Sequence, residues 1–246
     1  MNPGRIRVLI EKDWAELRKE RAMIATTLGV TLLLVVVFLA VAIYVPRIGD
    51  AGVPDRAGQL LLLRQLVLLL LMVPEFATMA IATYSVIGEK RARSLEPLLA
   101  TPITTAELLA AKFLSAAIPG IALTWLAFGV SALAVWGLTS ADVARLALSG
   151  DVLLLVFVIA PLVALLGAGL GVIASSRASD PRSAQQIGVL VIVPLVGLLI
   201  LQLEGLLSLT PDAILAGAAV LAAGVLLLLR IGVALFRRET ILTRWR

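Results

Sequence analysis

The chain has 246 residues, of which 61% are hydrophobic and 15% are charged, and its mean hydropathy is +1.06. An average soluble domain carries about 25% charged residues, so this chain has too little polar sequence to cover its apolar part in water. Histidine and cysteine are both absent, which excludes disulfides and thiol chemistry and removes the commonest metal ligand and general base. The net charge of +5 comes from basic residues at the ends of apolar runs, where it indicates membrane orientation better than nucleic-acid binding.

The first segment of the chain combines basic residues with a regular apolar pattern. Apolar side chains recur there at intervals of three and four: Ile6, Leu9, Ile10, Trp14 and Leu17. This spacing predicts an amphipathic helix, and the arginines and lysines between the apolar positions favour a helix that lies in the inner interface of a membrane. A solvated basic tail is the alternative.

Six apolar runs follow the first segment. A helix of 20 residues is about 30 Å long, which is the thickness of the hydrocarbon core, and backbone amides in lipid must pair within a helix. The predicted spans are residues 24–45, 60–87, 113–138, 152–174, 187–203 and 213–236. We therefore predict an all-α integral membrane protein with a single domain over 1–246, in which residues 1–23 form the interfacial helix and 237–246 a tail.

The distribution of positive charge predicts the orientation of the spans. Of the 21 lysines and arginines, 17 lie in the first segment, the second-to-third and fourth-to-fifth connections, and the last segment when Arg230 is counted with it. The side of the membrane that is rich in these residues is the cytoplasm. We expect both termini in the cytoplasm of a multi-pass protein of the plasma or inner membrane, with residues 47–59 and 139–151 facing outward.

The connection between the second and third spans, residues 88–112, has the most distinctive pattern. Four charged residues end the second span: Glu89, Lys90, Arg91 and Arg93. The pattern predicts a short helix that starts at Leu95, with Ser94 as its cap, Pro97 in its first turn and Thr101-Pro102 at its end. Three leucines on this helix would contact lipid or protein: Leu95, Leu98 and Leu99. Thr104 and Glu107 then form a capping box that starts the helix of the third span.

The connection between the fourth and fifth spans has weaker signals. Asp180 before Pro181, and Ser183 with Gln186, have the composition of helix starts. We interpret Asp180, Arg182 and Gln186 as a secondary cytoplasmic contact, with a solvated turn as the alternative.

Polar groups within the apolar runs are candidates for function because a charge near the bilayer centre costs a few kcal/mol. Glu75 follows Pro74 in the second span and lies near the midplane. Its three interpretations are a place in the transport pathway, a place at a dimer seam, and a structural polar contact. Gln202 and Glu204 end the fifth span at the outer surface, where a short re-entrant segment is one interpretation. Gly167 and Gly171 share a helix face and are expected to pack against a neighbouring helix.

The sequence from Ser85 to Lys112 resembles the permease subunits of type-2 ABC exporters, in the sodium-exporter-like branch. The resemblance lies in the Gly-Glu-Lys…Ser-Leu-Glu-Pro-Leu-Leu-Ala-Thr-Pro…Glu-Leu-Leu…Lys arrangement, and it extends to the Ala184-Gln185-Gln186 start of the fifth span. It implies a coupling helix that docks onto a separate ATP-hydrolysing subunit, which binds the ATP and Mg²⁺, and a second permease copy as partner. By resemblance, the coupling role is assigned to Glu89, Lys90, Arg91, Arg93, Ser94, Leu95, Glu96, Pro97, Leu98 and Leu99.

No Walker A pattern or Gly-rich phosphate loop occurs in the sequence, so we expect a transport subunit that is not itself an enzyme and carries no cofactor. Short outward loops favour a substrate taken from the cytoplasm or inner leaflet. An ion-coupled secondary transporter and a heme-exporter-type permease stay open, the latter weakened by the lack of histidine. A lipid-processing membrane enzyme is disfavoured because the usual nucleophile–base pairs need His or Cys.

Overall fold

The computed structural model describes residues 3–44, 65–91, 103–138, 141–178, 180–204 and 210–235. Within these ranges every regular element is helical. The α-helices are α1 (Pro3–Leu17), α2 (Arg21–Tyr44), α3 (Met72–Arg91), α4 (Thr105–Leu138), α5 (Ala141–Ala147), α6 (Gly150–Leu154), α7 (Ala160–Arg177), α8 (Pro181–Gln185), α9 (Val189–Leu203) and α10 (Pro211–Leu235). A π-helical turn, Leu155–Ile159, joins α6 to α7, and a 3₁₀ turn, Gln186–Gly188, joins α8 to α9.

Six of the described helical stretches are long and apolar enough to cross a membrane, as the sequence predicts. Spans 1 to 6 are Arg21–Ile43, Gln65–Lys90, Thr105–Leu138, Gly150–Ser176, Ser183–Gln202 and Pro211–Leu235. The largest difference from the predicted bounds is in span 3, whose helix starts eight residues earlier than the apolar run. Thr104 and Glu107 are the reason, because they form the predicted capping box: the Thr104 amide donates to Glu107 Oε2 at 3.0 Å and the Glu107 amide to Thr104 Oγ1 at 3.2 Å.

Spans 2 and 4 lie at the centre of the bundle. In the most apolar stretch of span 2, 78% of the residues are buried, against 17% in spans 1 and 6. Glycines allow the close approach of spans 2 and 4: a Cβ on Gly167 would lie 2.6 Å from Thr78 Oγ1, and one on Gly171 would lie 2.7 Å from Ala82 Cβ. The predicted helix-packing role of the two glycines is confirmed.

Prolines interrupt the two central spans, and in span 4 a side chain satisfies the carbonyl that the proline leaves free. Span 2 has a turn at Leu71, just before Pro74. In span 4 the π register would pair the amide of residue 161 with the carbonyl of Val156, but Pro161 has no N–H. The indole N–H of Trp125 in span 3 donates to that carbonyl instead, at 3.2 Å.

The helix α1 packs against the start of span 3 and leaves part of its surface exposed. Leu9 is buried with Leu108 and Ala111, and the indole N–H of Trp14 donates to the Ser115 carbonyl at 2.9 Å. The predicted amphipathic helix is therefore present, and its apolar face contacts protein. We call the end of the bundle where α1 packs the α1 end.

Candidate functional site

A cluster of buried charges joins α1 to spans 2 and 3 at the α1 end. The Lys112 ammonium, in span 3, donates to Asp13 Oδ1 at 2.7 Å and to Ser85 Oγ at 2.7 Å, and it lies 2.9 Å from Glu89 Oε1. The same Glu89 oxygen accepts a hydrogen bond from Lys12 at 2.6 Å. We call Lys12, Asp13, Glu89 and Lys112 the ion cluster.

The ion cluster is closed to solvent where its carboxylates and Lys112 meet. The side chains of Asp13 and Glu89 are each 2% exposed, and that of Lys112 is 5% exposed. Ser115 Oγ donates to the second oxygen of Asp13 at 2.8 Å. Removing one partner of such a buried pair typically costs about 3–5 kcal/mol, because the other charge is left uncompensated. The arrangement therefore fixes where α1 sits on spans 2 and 3.

Two lysines balance most of the negative charge at this place. The carboxylates of Asp13, Glu16 and Glu89 bring oxygens within 4.8 Å of one another, a grouping that elsewhere holds a metal ion. Here the ammonium groups of Lys12 and Lys112 lie among them. Burial lowers the pKa of Lys12, but its hydrogen bond to Glu89 and the charges of the three carboxylates raise it by more, so the net pKa lies above the ordinary 10.5. Lys12 is a cation throughout the physiological range.

The predicted coupling residues are only partly described by the structure. Glu89 lies in the ion cluster, and Lys90 is half-buried beside the end of span 4. Arg91 is the last residue of α3, and only its backbone is described. The others lie outside the described residues: Arg93, Ser94, Leu95, Glu96, Pro97, Leu98 and Leu99. The two ends of the segment are thus placed, and its docking role stays a prediction.

Lys90 connects the end of span 2 to the end of span 4. Its ammonium donates to the carbonyls of Ser175, Ser176 and Ala178, at 2.6, 2.7 and 3.2 Å. The last carbonyls of a helix have no intrahelical partner and carry the negative end of the helix dipole, so a lysine satisfies them well. The second predicted contact region therefore begins next to the exit of span 2.

Asp180 caps the helix α8, as its position before Pro181 predicts. Its Oδ1 accepts from the Ser183 amide at 2.9 Å, and its Oδ2 accepts from the Ser183 hydroxyl at 2.8 Å. The prediction of a second helix start at Ser183 is wrong, because that hydroxyl is bound to Asp180 and Ser183 lies inside α8. Gln186 is exposed, and Arg182 is placed in α8 by its backbone alone. The secondary-contact role of Asp180, Arg182 and Gln186 stays a prediction.

Glu75 lies inside the bundle, with its side chain aimed at the 3₁₀ turn that opens span 5. The residue is 1% exposed, and its Oε1 has no hydrogen-bond partner among the described residues. A Cβ on Gly188 would lie 3.1 Å from that oxygen, so the missing side chain at Gly188 leaves room for the carboxyl group. The intramembrane carboxylate predicted from sequence is thus buried between spans 2 and 5.

The residues at the other end of span 5 differ from each other. Gln202 is 4% exposed and its Oε1 has no hydrogen-bond partner in the described part of the chain. Glu204 is exposed, and its amide closes the end of α9 by donating to the Ile200 carbonyl at 3.0 Å. No described hydrogen bond joins Gln202 or Glu204 to Glu75.

Sequence reasoning missed the two residues at the centre of the ion cluster, Asp13 and Lys112. Asp13 occupies the same helical stripe as Leu9 and Leu17, which is an unusual place for a carboxylate. Lys112 follows two turns of helix after the capping box and precedes an apolar run. The available signal was a charged residue within each of two apolar patterns. That signal does not predict that the two residues pair with each other.

Comparison with known families gives one match. A family model described as ABC-2 family transporter protein matches residues 53–219, which is more than half of the chain. The matched range contains Glu89 and Lys112 and begins after α1. Among curated proteins no sequence matches the chain significantly.

Proposed function

Because this chain belongs to the ABC-2 family of transporter proteins, we propose that it is the permease subunit of an ATP-binding-cassette exporter whose ATP is hydrolysed by a separate subunit. The chain is a multi-pass membrane protein, and permeases of this family generally work with such an ATPase. The observation that carries the proposal is the family match, which includes the whole connection between spans 2 and 3. The residue pattern of that connection favours the sodium-exporter-like branch.

The coupling segment, residues 89–99, is the proposed ATPase contact. An ATPase can move the spans only through a segment that is firmly tied to them. In support, Glu89 is paired with two lysines at the exit of span 2, and the capping box of Thr104 and Glu107 fixes the entry to span 3. Glu89 and Lys90 then anchor the segment, and the residues after them form the contact surface.

The connection between spans 4 and 5 is the proposed secondary contact. Lys90 brings the end of span 4 next to the coupling segment, and Asp180 and Gln186 follow directly along the chain. One ATPase subunit would then touch both connections. Since the ATPase is cytoplasmic, this proposal also puts the α1 end and both termini in the cytoplasm, in agreement with the positive charge of the connecting segments.

Glu75 is proposed to lie in the substrate pathway or at the dimer seam. A buried carboxyl group with an unpartnered oxygen is costly in a membrane and is retained where it serves transport or binding. The resemblance to exporters that contain two permease copies supports the proposed homodimer. Gln202 and Glu204 are proposed to belong to the outer end of the same pathway.

Purification of the chain from its own membranes tests the proposal. We expect a tagged chain to retain an ATP-binding-cassette ATPase, and the purified complex to hydrolyse ATP faster than the isolated ATPase. The control is a chain with Leu95→Glu, which places a charge on the proposed contact surface and should release the ATPase while inserting normally. Purification of the unaltered chain without any ATPase, together with transport that collapses on addition of an uncoupler, would identify an ion-coupled transporter instead.

A further inference from the structure

A groove runs between α1 and the first turns of span 3. Apolar side chains form its two walls: Ile6, Ile10 and Trp14 on α1, and Leu114 and Ile118 on span 3. Its volume is about 570 Å³, and pockets that bind small ligands have volumes of about 300–1,000 Å³. The residues of the ion cluster do not line it. The groove is therefore a second feature of the α1 end, separate from the buried charges.

The α1 wall belongs to the apolar stripe that the sequence predicts. Of this stripe, Leu9 and Leu17 are buried, whereas Ile6, Ile10 and Trp14 are only half-buried. These three residues are spaced by four, so they follow one line along the helix. The α1 wall is thus the part of the amphipathic face that the described residues leave partly uncovered.

The span 3 wall continues into a surface that is suited to lipid. Leu114 and Ile118 are 38% and 40% exposed, and Trp125 and Trp136, further along the same side of the helix, are 42% and 65% exposed. Apolar side chains exposed on a membrane-crossing helix are stable against acyl chains and unstable in water. An acyl chain that lies along span 3 therefore reaches the groove over a continuous apolar surface.

A pair of opposite charges lies at the edge of the groove. Arg7 and Glu11 both line it, with Arg7 Nε 2.8 Å from Glu11 Oε1, and their side chains are 81% and 57% exposed. An exposed ion pair between positions i and i+4 of a helix contributes little stability. A ligand that carries both an anion and a cation can thus replace the pair at little cost.

The chemistry of the two side chains selects one type of phospholipid headgroup. A guanidinium group binds a phosphate through two parallel hydrogen bonds, and a carboxylate accepts hydrogen bonds from an ammonium group. An ethanolamine headgroup carries both partners, joined by two carbon atoms. A glycerol headgroup offers no cation to Glu11, and the quaternary nitrogen of a choline headgroup has no N–H to donate. Arg7 and Glu11 together therefore favour ethanolamine.

From these contacts we propose that the groove binds one phospholipid with an ethanolamine headgroup. Its phosphate pairs with Arg7, its ammonium group pairs with Glu11, and one acyl chain lies between the two apolar walls. The lipid covers the half-buried side chains of α1 and supports this helix on span 3. The site does not depend on the proposed coupling to an ATPase, and α1 lies outside the range that the family model matches.

Competition between two phospholipids for the purified full-length protein tests the proposal. The protein, with any partner that it retains, is titrated in mild detergent with equimolar dioleoyl phosphatidylethanolamine and dioleoyl phosphatidylglycerol. Native mass spectrometry then counts each lipid bound. We expect the first ethanolamine lipid to bind about tenfold more tightly, which is the factor that one hydrogen bond between charged groups contributes. Equal binding of the two lipids would overturn the proposal.

Variants of the charge pair test the headgroup contacts. Glu11→Gln should abolish the preference for ethanolamine, because the ammonium group loses its carboxylate, and Arg7→Gln should weaken the binding of both lipids. The matched control is Glu20→Gln, which makes the same carboxylate-to-amide change at an exposed position after α1 and should keep the preference. An unchanged preference in Glu11→Gln would contradict the assigned contacts and with them the proposal.

A change in the apolar wall tests the location of the lipid. Leu114→Trp fills the groove, and Leu126→Trp makes the same change on the same span at a position that is 66% exposed and outside the groove. Because a ligand of the folded state raises the melting temperature, the ethanolamine lipid should raise it in the unaltered protein and in Leu126→Trp, but not in Leu114→Trp. Equal shifts in the two variants would overturn the proposal. So would a structure of the protein in phosphatidylethanolamine nanodiscs that shows a protein segment in the groove.

Discussion

Two glutamates of span 2 lie in opposite chemical surroundings. Glu89 is buried with two lysines that compensate its charge, whereas the Oε1 atom of Glu75 has no hydrogen-bond partner among the described residues. The first arrangement is a rigid connection between helices. The second is a buried polar atom that a Cβ on Gly188 would approach to 3.1 Å. The compensation of charge therefore differs between the two residues although they share one helix.

We expect Glu75→Gln to impair transport without lowering stability. The amide keeps the shape of the side chain and removes the charge, so the protein should melt at the same or a higher temperature. Complementation of a deletion strain by the variant gene measures transport, and a melting curve of the purified protein measures stability. Glu20→Gln is the control, because it makes the same change at an exposed position. Full complementation by Glu75→Gln would show that the charge of Glu75 does not serve the transport pathway.

The connections between helices are organised by single side chains at the α1 end. Lys90 satisfies the carbonyls at the end of span 4, and Asp180 caps the helix that follows. The end of span 4 is thereby tied to span 2, and Asp180 is tied to the first turn of α8. The sequence predicts the cap at Asp180, since a cap involves neighbours along the chain. It does not predict the Lys90 contacts, whose partners are 85 to 88 residues away.

Lys90→Met should loosen the connection between spans 4 and 5. The methionine keeps most of the aliphatic stem and removes a charged donor whose hydrogen bonds contribute about 1.5–3 kcal/mol. Since about 1.4 kcal/mol corresponds to a factor of ten, we expect hydrogen–deuterium exchange in residues 177–186 to become roughly tenfold faster. Lys19→Met, at an exposed position, is the control and should leave that exchange unchanged. Equal exchange in the two variants would show that Lys90 does not hold this connection.

Among the described helices, spans 2 and 4 are the most buried, and the other four spans are largely exposed. Large apolar side chains are exposed on the outer spans, among them Leu32, Leu133, Val220 and Leu226. Such surfaces are stable in lipid and in contact with a second copy, and unstable in water. The burial pattern thus agrees with the composition of the chain, which has too few charged residues to cover a surface in water.

Cysteine labelling tests the orientation of the bundle. We expect a cysteine at Ala141 to react with an impermeant maleimide added outside intact cells, and a cysteine at Lys19 to react only after the membrane is opened. Both positions are exposed, so access through the membrane is the difference between them. The reverse pattern would place the α1 end outside, where no ATPase could reach the coupling segment.

The sequence by itself determined the number of spans, the helix of residues 3–17, the capping box at Thr104 and the packing face of Gly167 and Gly171. These features depend on apolar length, helical period and neighbours within four residues, all of which are local. Only the tertiary structure decided that Asp13, Glu89 and Lys112 meet, because the bonds of Lys12 and Lys112 join residues 77 and 99 positions apart. Which charges pair depends on how each helix is rotated and placed against its neighbours. The packing of the whole bundle therefore decides which charges pair, and the residue pattern of a single helix does not predict it.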